Sequence, residues 1–289
     1  MTTRSSDRTQ EDRGNIVHLE HVNLSHNDQS LATLFYVVGL GLTRDPYLMV
    51  GLDNMWINVG RSQLHLPTGS AQMLRGRIGL VLPGLAAVKR RLEMVARPLA
   101  GTTFGFSDHA DFIDATCPWG NRFRVHAPAP AFGATTLALA YVEFDVPTGT
   151  APGIARFYQN ILGAPAALAA PGDTAAATIT AGNAQRLIFR ETNAALPPYD
   201  GHHIQIYIAD FAGPHEALLA RGLITEESNE YQYRFKDLVD PDSGKNLFEI
   251  EHEVRSLRHP LYGREFVNRN PQQSNIDYAG NRDRYAGIY

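Results

Sequence analysis

The chain has 289 residues, enough for one large domain or two small ones, and 44% hydrophobic against 19% charged residues suits a globular protein with a sizeable core. A net charge of −4 gives no basic excess for nucleic acid or anionic lipid. The single cysteine, Cys117, excludes an intrachain disulfide and a cysteine-cluster zinc site.

The polar N-terminus, residues 1–15, has no apolar anchor and is expected to be disordered; it does not read as a secretory signal. No apolar run is long enough to span a membrane. A cytoplasmic protein is expected, with neither nucleic acid nor membrane as a partner. From residue 16 onward a unit of about 50–60 residues recurs four times, each reading as strand, helix, then further strands. The first opens at His18-Leu19-Glu20-His21-Val22-Asn23-Leu24 and closes at Arg61-Ser62-Gln63-Leu64-His65-Leu66. The second runs from Arg77-Ile78-Gly79-Leu80-Val81-Leu82 to Asn121-Arg122-Phe123-Arg124-Val125-His126. The third runs from Tyr141-Val142-Glu143-Phe144-Asp145-Val146 to Gln185-Arg186-Leu187-Ile188-Phe189-Arg190. The fourth runs from His203-Ile204-Gln205-Ile206-Tyr207-Ile208 to Asn246-Leu247-Phe248-Glu249-Ile250-Glu251.

Helices are expected near 28–39, 84–96, 152–162 and 211–221. In the first, Leu31, Leu34, Phe35 and Val38 form the stripe of a helix lying on a sheet, with Asp28 as N-cap and Gly39 able to end it left-handed. In the third, Ile154, Phe157, Tyr158 and Ile161 repeat the plan and Gly163 closes it. The strands alternate with period two, so Val22, Leu24, Leu64, Phe123, Val125, Phe144, Ile206, Phe248 and Ile250 should lie under the helices. The Pro- and Ala-rich stretch after His126 reads as a linker. The expected division is an N-terminal domain at 16–128, a linker at 129–135, a C-terminal domain at 136–252 and a tail at 253–289. Tyr262, Phe266, Tyr278, Tyr285 and Tyr289 could anchor the tail to the body or to a partner subunit.

These repeats, with Phe35-Tyr36-Val37-Val38-Gly39-Leu40-Gly41-Leu42 and Phe157-Tyr158-Gln159-Asn160-Ile161-Leu162-Gly163, resemble the vicinal oxygen chelate superfamily of glyoxalase I, bleomycin-resistance proteins and extradiol dioxygenases. The turns Cys117-Pro118-Trp119-Gly120-Asn121 and Asp240-Pro241-Asp242-Ser243-Gly244-Lys245-Asn246 resemble the family's turn before a final strand. Over residues 16–252 the resemblance implies an α+β fold. Four βαβββ modules would pair into two domains, each a half-open barrel with a cup. It does not choose among isomerases, dioxygenases, lyases and metal-free binding proteins.

The resemblance puts metal ligands on the first and last strands of the units, pointing into the cup. By parity the N-terminal cup offers His21, His65, Arg77 and Arg124. Two guanidiniums disfavour a divalent cation and favour a carboxylate or phosphate, so Arg77 and Arg124 are candidates for anion or substrate binding. The C-terminal cup offers Tyr141, Ile188, His203 and Glu249, with Glu143, Asp145, Gln205, Tyr207 and Glu251 sharing the inward parity. His203 and Glu249 are half of a two-His-one-carboxylate set and are the candidate metal ligands. Tyr141 stands where an extradiol dioxygenase has His; either Tyr141 or Glu143 would complete the set or act as acid/base, with Gln205 and Tyr207 binding substrate. The fuller extradiol pattern is missing, since Asp237 stands three residues before the Asp-Pro turn where Tyr is needed.

The reading is an enzyme acting on a small oxygenated organic molecule, its divalent metal (Fe2+ first, with Zn2+, Mn2+ or Ni2+ as alternatives) chelating two adjacent substrate oxygens in the C-terminal cup. The competing reading is a metal-free sequestration protein of the bleomycin-resistance kind. The resemblance leaves a homodimer open.

Overall fold

The computed structural model describes residues 12–48 and 53–268. Asp28 caps the first helix as expected, its Oδ1 accepting from the amides of Ser30 at 2.8 Å and Leu31 at 3.0 Å. That helix, α1 (Gln29–Ala32), widens into a π-helical turn over Thr33–Gly39, where the Leu40 amide reaches back to the Phe35 carbonyl. The left-handed residue that ends the segment is Gly41, at φ 77°, rather than Gly39. In the third unit Gly163, at φ 64°, plays the expected role.

Each unit contributes one helix and four strands. The first holds β1 (Ile16–Asn23), α1, β2 (Thr43–Arg44), β3 (Asn54–Val59) and β4 (Ser62–Pro67). The second holds β5 (Gly76–Val81), α2 (Leu85–Ala96), β6 (Gly105–Asp108), β7 (Phe112–Thr116) and β8 (Arg122–His126). The third holds β9 (Ala138–Pro147), α3 (Ala151–Asn160), β10 (Ala166–Leu168), β11 (Ala176–Thr180) and β12 (Arg186–Thr192). The fourth holds β13 (His203–Ile208), α4 (Ala212–Leu219), β14 (Ile224–Asn229), β15 (Gln232–Val239) and β16 (Asn246–Ser256). The apolar positions expected under the helices, from Val22 to Ile250, are buried. Each large apolar side chain removed from water in this way contributes about 1.5–3 kcal/mol.

The sheets join units that are not neighbours in sequence. One eight-stranded sheet has the order β14-β15-β16-β13-β1-β4-β3-β2, so it unites the first and fourth units. The other, β10-β11-β12-β9-β5-β8-β7-β6, unites the second and third. The expected division at 16–128 and 136–252 had paired neighbours, and the sheets cut across it. The reason is physical. Every unit presents the same free edge, its first strand, and that edge is satisfied by any other first strand laid antiparallel to it. Here β1 takes β13, with Val22 opposite Ile204, and β5 takes β9, with Ile78 opposite Val142.

Gln185 stitches the two sheets together. Its buried amide accepts from the Leu19 amide at 3.1 Å and donates to the Leu19 and Leu139 carbonyls, each at 2.9 Å. Beyond β16 the chain returns to the first unit. Arg264 pairs with buried Asp45 at 2.9 Å, and Asn268 bonds both backbone groups of Gly60. Tyr262 and Phe266 are therefore on the body. Tyr278, Tyr285 and Tyr289 lie outside the described residues, as do residues 1–11 of the N-terminal segment. Among the described residues no helix is long and apolar enough to cross a membrane.

Candidate metal centre

Four central strands of the first sheet present polar residues on the face away from the helices, because the alternate positions are apolar and packed beneath. Two cross-strand rows result. One runs His65, Asn23, His203, Glu251; the next runs Gln63, His21, Gln205, Glu253. His21, His65 and His203 thus come from β1, β4 and β13, and their ligand-capable nitrogens lie within 4.8 Å of one another. The His21 ring is 5.7 Å, centroid to centroid, from both others.

Two of the imidazoles are anchored by hydrogen bonds. His21 Nδ1 lies 2.5 Å from Glu20 Oε2, and His65 Nε2 lies 2.7 Å from Asn54 Oδ1. Since the Asn54 oxygen can only accept, the proton of His65 sits on Nε2 and its lone pair on Nδ1. Trp56 stacks on His65 at 3.7 Å and sets its ring edge to face against His21 at 5.0 Å. Burial, reinforced by neighbouring cationic groups, holds His21 down to about 3 and His65 down to about 2, and burial keeps His203 well below the ordinary histidine value. All three are neutral near pH 7, the form that binds metal.

Nε2 of His21 and Nε2 of His203 are buried with no hydrogen-bond partner among the described residues. Glu251 Oε1 lies 3.6 Å from His203 Nδ1, and Glu253 Oε2 lies 3.7 Å from His203 Nε2. Three neutral imidazoles with carboxylates alongside form a nitrogen–oxygen donor set that fits Fe2+, Zn2+, Mn2+ or Ni2+. The carboxylates also have a protein counterion: Arg234 forks across Glu251 and Glu253, and Arg255 pairs with Glu253 at 2.6 Å.

Of the residues singled out from sequence, His203, Gln205 and Tyr207 lie in this cup on β13. Gln205 is fully buried, and neither amide atom has a partner among the described residues. Burial pushes the Tyr207 phenol up to about 12. Glu249 shares the inward parity but pairs with Lys236, one pleat away from the position opposite His203, which Glu251 takes. β16 continues to Ser256, past the expected end of the unit, and this brings Glu251 and Glu253 level with the histidines.

Tyr141, Glu143, Arg77 and Arg124 gather in the other cup. Glu143 pairs with Arg190 at 2.9 Å and with Arg77 at 3.5 Å. Arg122 pairs with Asp145 at 2.6 Å, and Arg124 grips Asp114 through two bonds of 2.7 Å. The Tyr141 hydroxyl meets His126 Nε2 at 3.1 Å. The expectation of a basic N-terminal cup and a separate acidic C-terminal one is therefore corrected: Arg77 and Arg122 meet Glu143 and Asp145 because the second unit pairs with the third, and Arg124 is held by Asp114 of its own unit. The same pairing removes Arg77 and Arg124 from His21 and His65, whose company had counted against a metal there. A pattern in the sequence could have found the centre. Only the first and fourth units carry histidine at the ligand-like places, and they carry three between them.

No protein-family profile and no curated protein matches the sequence. Among solved structures the chain is similar to glyoxalase I from Zea mays, at 14% identity over 82% of this chain and 92% of that one, with a TM-score of 0.57. A single-residue variant of that enzyme gives 14% identity, 83% and 92% coverage and a TM-score of 0.59. A Bacillus subtilis protein named as a candidate dioxygenase gives 13% identity, 84% and 86% coverage and a TM-score of 0.56. At these identities the likeness is one of fold: the chain has the vicinal oxygen chelate fold, α+β, with four βαβββ modules in two sheets.

Proposed function

We propose that this protein is a metal-dependent enzyme whose centre is held by His21, His65 and His203, with Glu251 as the adjoining carboxylate, and whose substrate is a small organic molecule with two neighbouring oxygens. One observation carries the reading: three neutral imidazoles, two buried and that of His65 half-buried, converge from three strands with ligand nitrogens within 4.8 Å, and among the described residues two of the rings keep an unpartnered buried nitrogen. An unsatisfied buried polar atom costs about 1–3 kcal/mol, so two at one spot favour a ligand over a purely structural cluster. A bound divalent ion would supply Lewis-acid chemistry toward the two substrate oxygens.

The chain's own residues would do the rest. Gln205, directly across from His21, offers a donor and an acceptor for the substrate. Tyr207 keeps its phenolic proton near pH 7 and can donate it in a hydrogen bond. Trp56 covers one face of His65 and keeps water from it. Tyr141, Glu143, Arg77 and Arg124 belong, in this reading, to a second cup filled by its own ion pairs.

The test is reconstitution of the full chain with Fe2+, Zn2+, Mn2+ and Ni2+ in turn, followed by elemental analysis. One equivalent in the wild type and its loss in His203→Ala would support the reading; no stoichiometric uptake of any of the four would remove it. One observation favours the alternative of a metal-free binding protein: Arg234 already neutralises Glu251 and Glu253. On that alternative Arg234→Ala would leave half-buried Glu251 without its guanidinium, with Glu253 still paired to Arg255, and destabilise the cup, whereas a metal-binding centre would bind its ion more tightly once the competing guanidinium is gone.

A further inference from the structure

The strand that carries His21 is irregular at two points, and the second lies beside the histidine. Along β1, Leu19 stands opposite Ile206 and His21 stands opposite Gln205, so Glu20 is an extra residue with no partner on β13. In a regular strand Glu20 and His21 would point to opposite faces, and the carboxylate would enter the apolar layer under the helices. A bulge of this kind re-aims one side chain. Here it turns the buried Glu20 carboxylate onto the cup side, where Oε2 lies 2.5 Å from Nδ1 of His21.

We infer that Glu20 is a positioning residue for His21: it holds the proton of the imidazole on Nδ1 and leaves Nε2 as the lone pair offered to the cluster. Two features support this. Among the described residues Nε2 of His21 is buried and has no partner. The neighbouring His65 is anchored by an amide, Asn54, so of these two imidazoles His21 alone has a carboxyl group behind it. A carboxylate behind a ligating histidine fixes the tautomer and raises the basicity of the ligating nitrogen. The consequence for metal affinity rests on the function proposed above; the tautomer does not.

The experiment uses the metal-free full chain labelled with nitrogen-15 histidine. Long-range proton–nitrogen NMR should show His21 in the Nδ1–H form in the wild type, and a shift toward the Nε2–H form in Glu20→Ala. Zn2+ affinity, measured by competition with a chelating dye, should fall by about 10–100-fold in Glu20→Gln. A wild-type His21 in the Nε2–H form would overturn the inference, and this readout needs no variant to fold. So would a Zn2+ affinity in Glu20→Gln within about twofold of wild type, since the expected loss is at least tenfold. If the wild type takes up no Zn2+, Fe2+, Mn2+ or Ni2+, the metal reading falls, and the tautomer measurement alone decides the role of Glu20.

Discussion

The ring of Tyr141 lies so close over the backbone of Gly79 that a Cβ on Gly79 would stand 2.1 Å from the tyrosine Cε1. The two residues face each other across β5 and β9. In the second cup this phenol thus needs a bare backbone beneath it. Gly79→Ala should force Tyr141 aside and destabilise the protein by about 1–3 kcal/mol, the usual cost of overpacking. Urea unfolding measures this, and metal uptake by the folded fraction should stay at the wild-type level.

Glu251 and Glu249 make a sharp pair for mutagenesis, because they share a face of β16 and differ by one pleat. Glu251→Gln should lower metal occupancy, since it removes a charge 3.6 Å from His203 Nδ1. Glu249→Gln should change it little, because that carboxylate pairs with Lys236. Elemental analysis after reconstitution reads both; the opposite ranking would move the centre one pleat along the strand.

Acid should weaken the fold well before the carboxylates titrate. His21 is held at about 3 and His252 at about 4, both below the ordinary value of 6.5, so the unfolded chain binds these protons more readily. Stability from such groups is complete above the unfolded value and is lost as pH falls toward the folded one. Between pH 7 and pH 5 each fully buried histidine should cost roughly 2 kcal/mol. Urea midpoints at the two pH values test this, and a midpoint that does not move would show that these histidines are protonated in the folded state.

Arg264 reaches from the segment after β16 to Asp45, whose side chain is buried and also accepts from the amides of Tyr47 and Leu48. These partners hold the Asp45 carboxyl below its usual range despite its burial. Arg264→Ala should cost about 1.5–3 kcal/mol, the worth of a hydrogen bond to a charged group. Thermal unfolding would register the loss, and a Tm equal to wild type would mean that the backbone amides and the Gln63 side chain together satisfy Asp45.

Much of this architecture was legible in the residues. Period-two alternation told which side chains of each strand enter a cup, and positions such as Val22, Phe123 and Ile250 lie in the core as that parity requires. The pairing of the units was not legible, because each unit's free edge looks the same and the preference for β1 with β13 comes from long-range packing. That single ambiguity assigned Arg77 and Arg124 to the wrong company. Two smaller effects were also hidden: the bulge at Glu20, which alternation alone cannot reveal, and the extra length of β16, which decides that Glu251 stands across from His203.

The order in which the sheets close has a consequence for biosynthesis. The second and third units are nested inside the first and fourth, like an inner pair of brackets within an outer one. As the chain leaves the ribosome, the inner pair has both halves available while the first unit still waits for β13. Its histidines, His21 and His65, stay without the third until nearly the whole polypeptide has been made. Termination between the third and fourth units would therefore leave the inner sheet complete, the edge of β1 exposed, and His21 and His65 without His203.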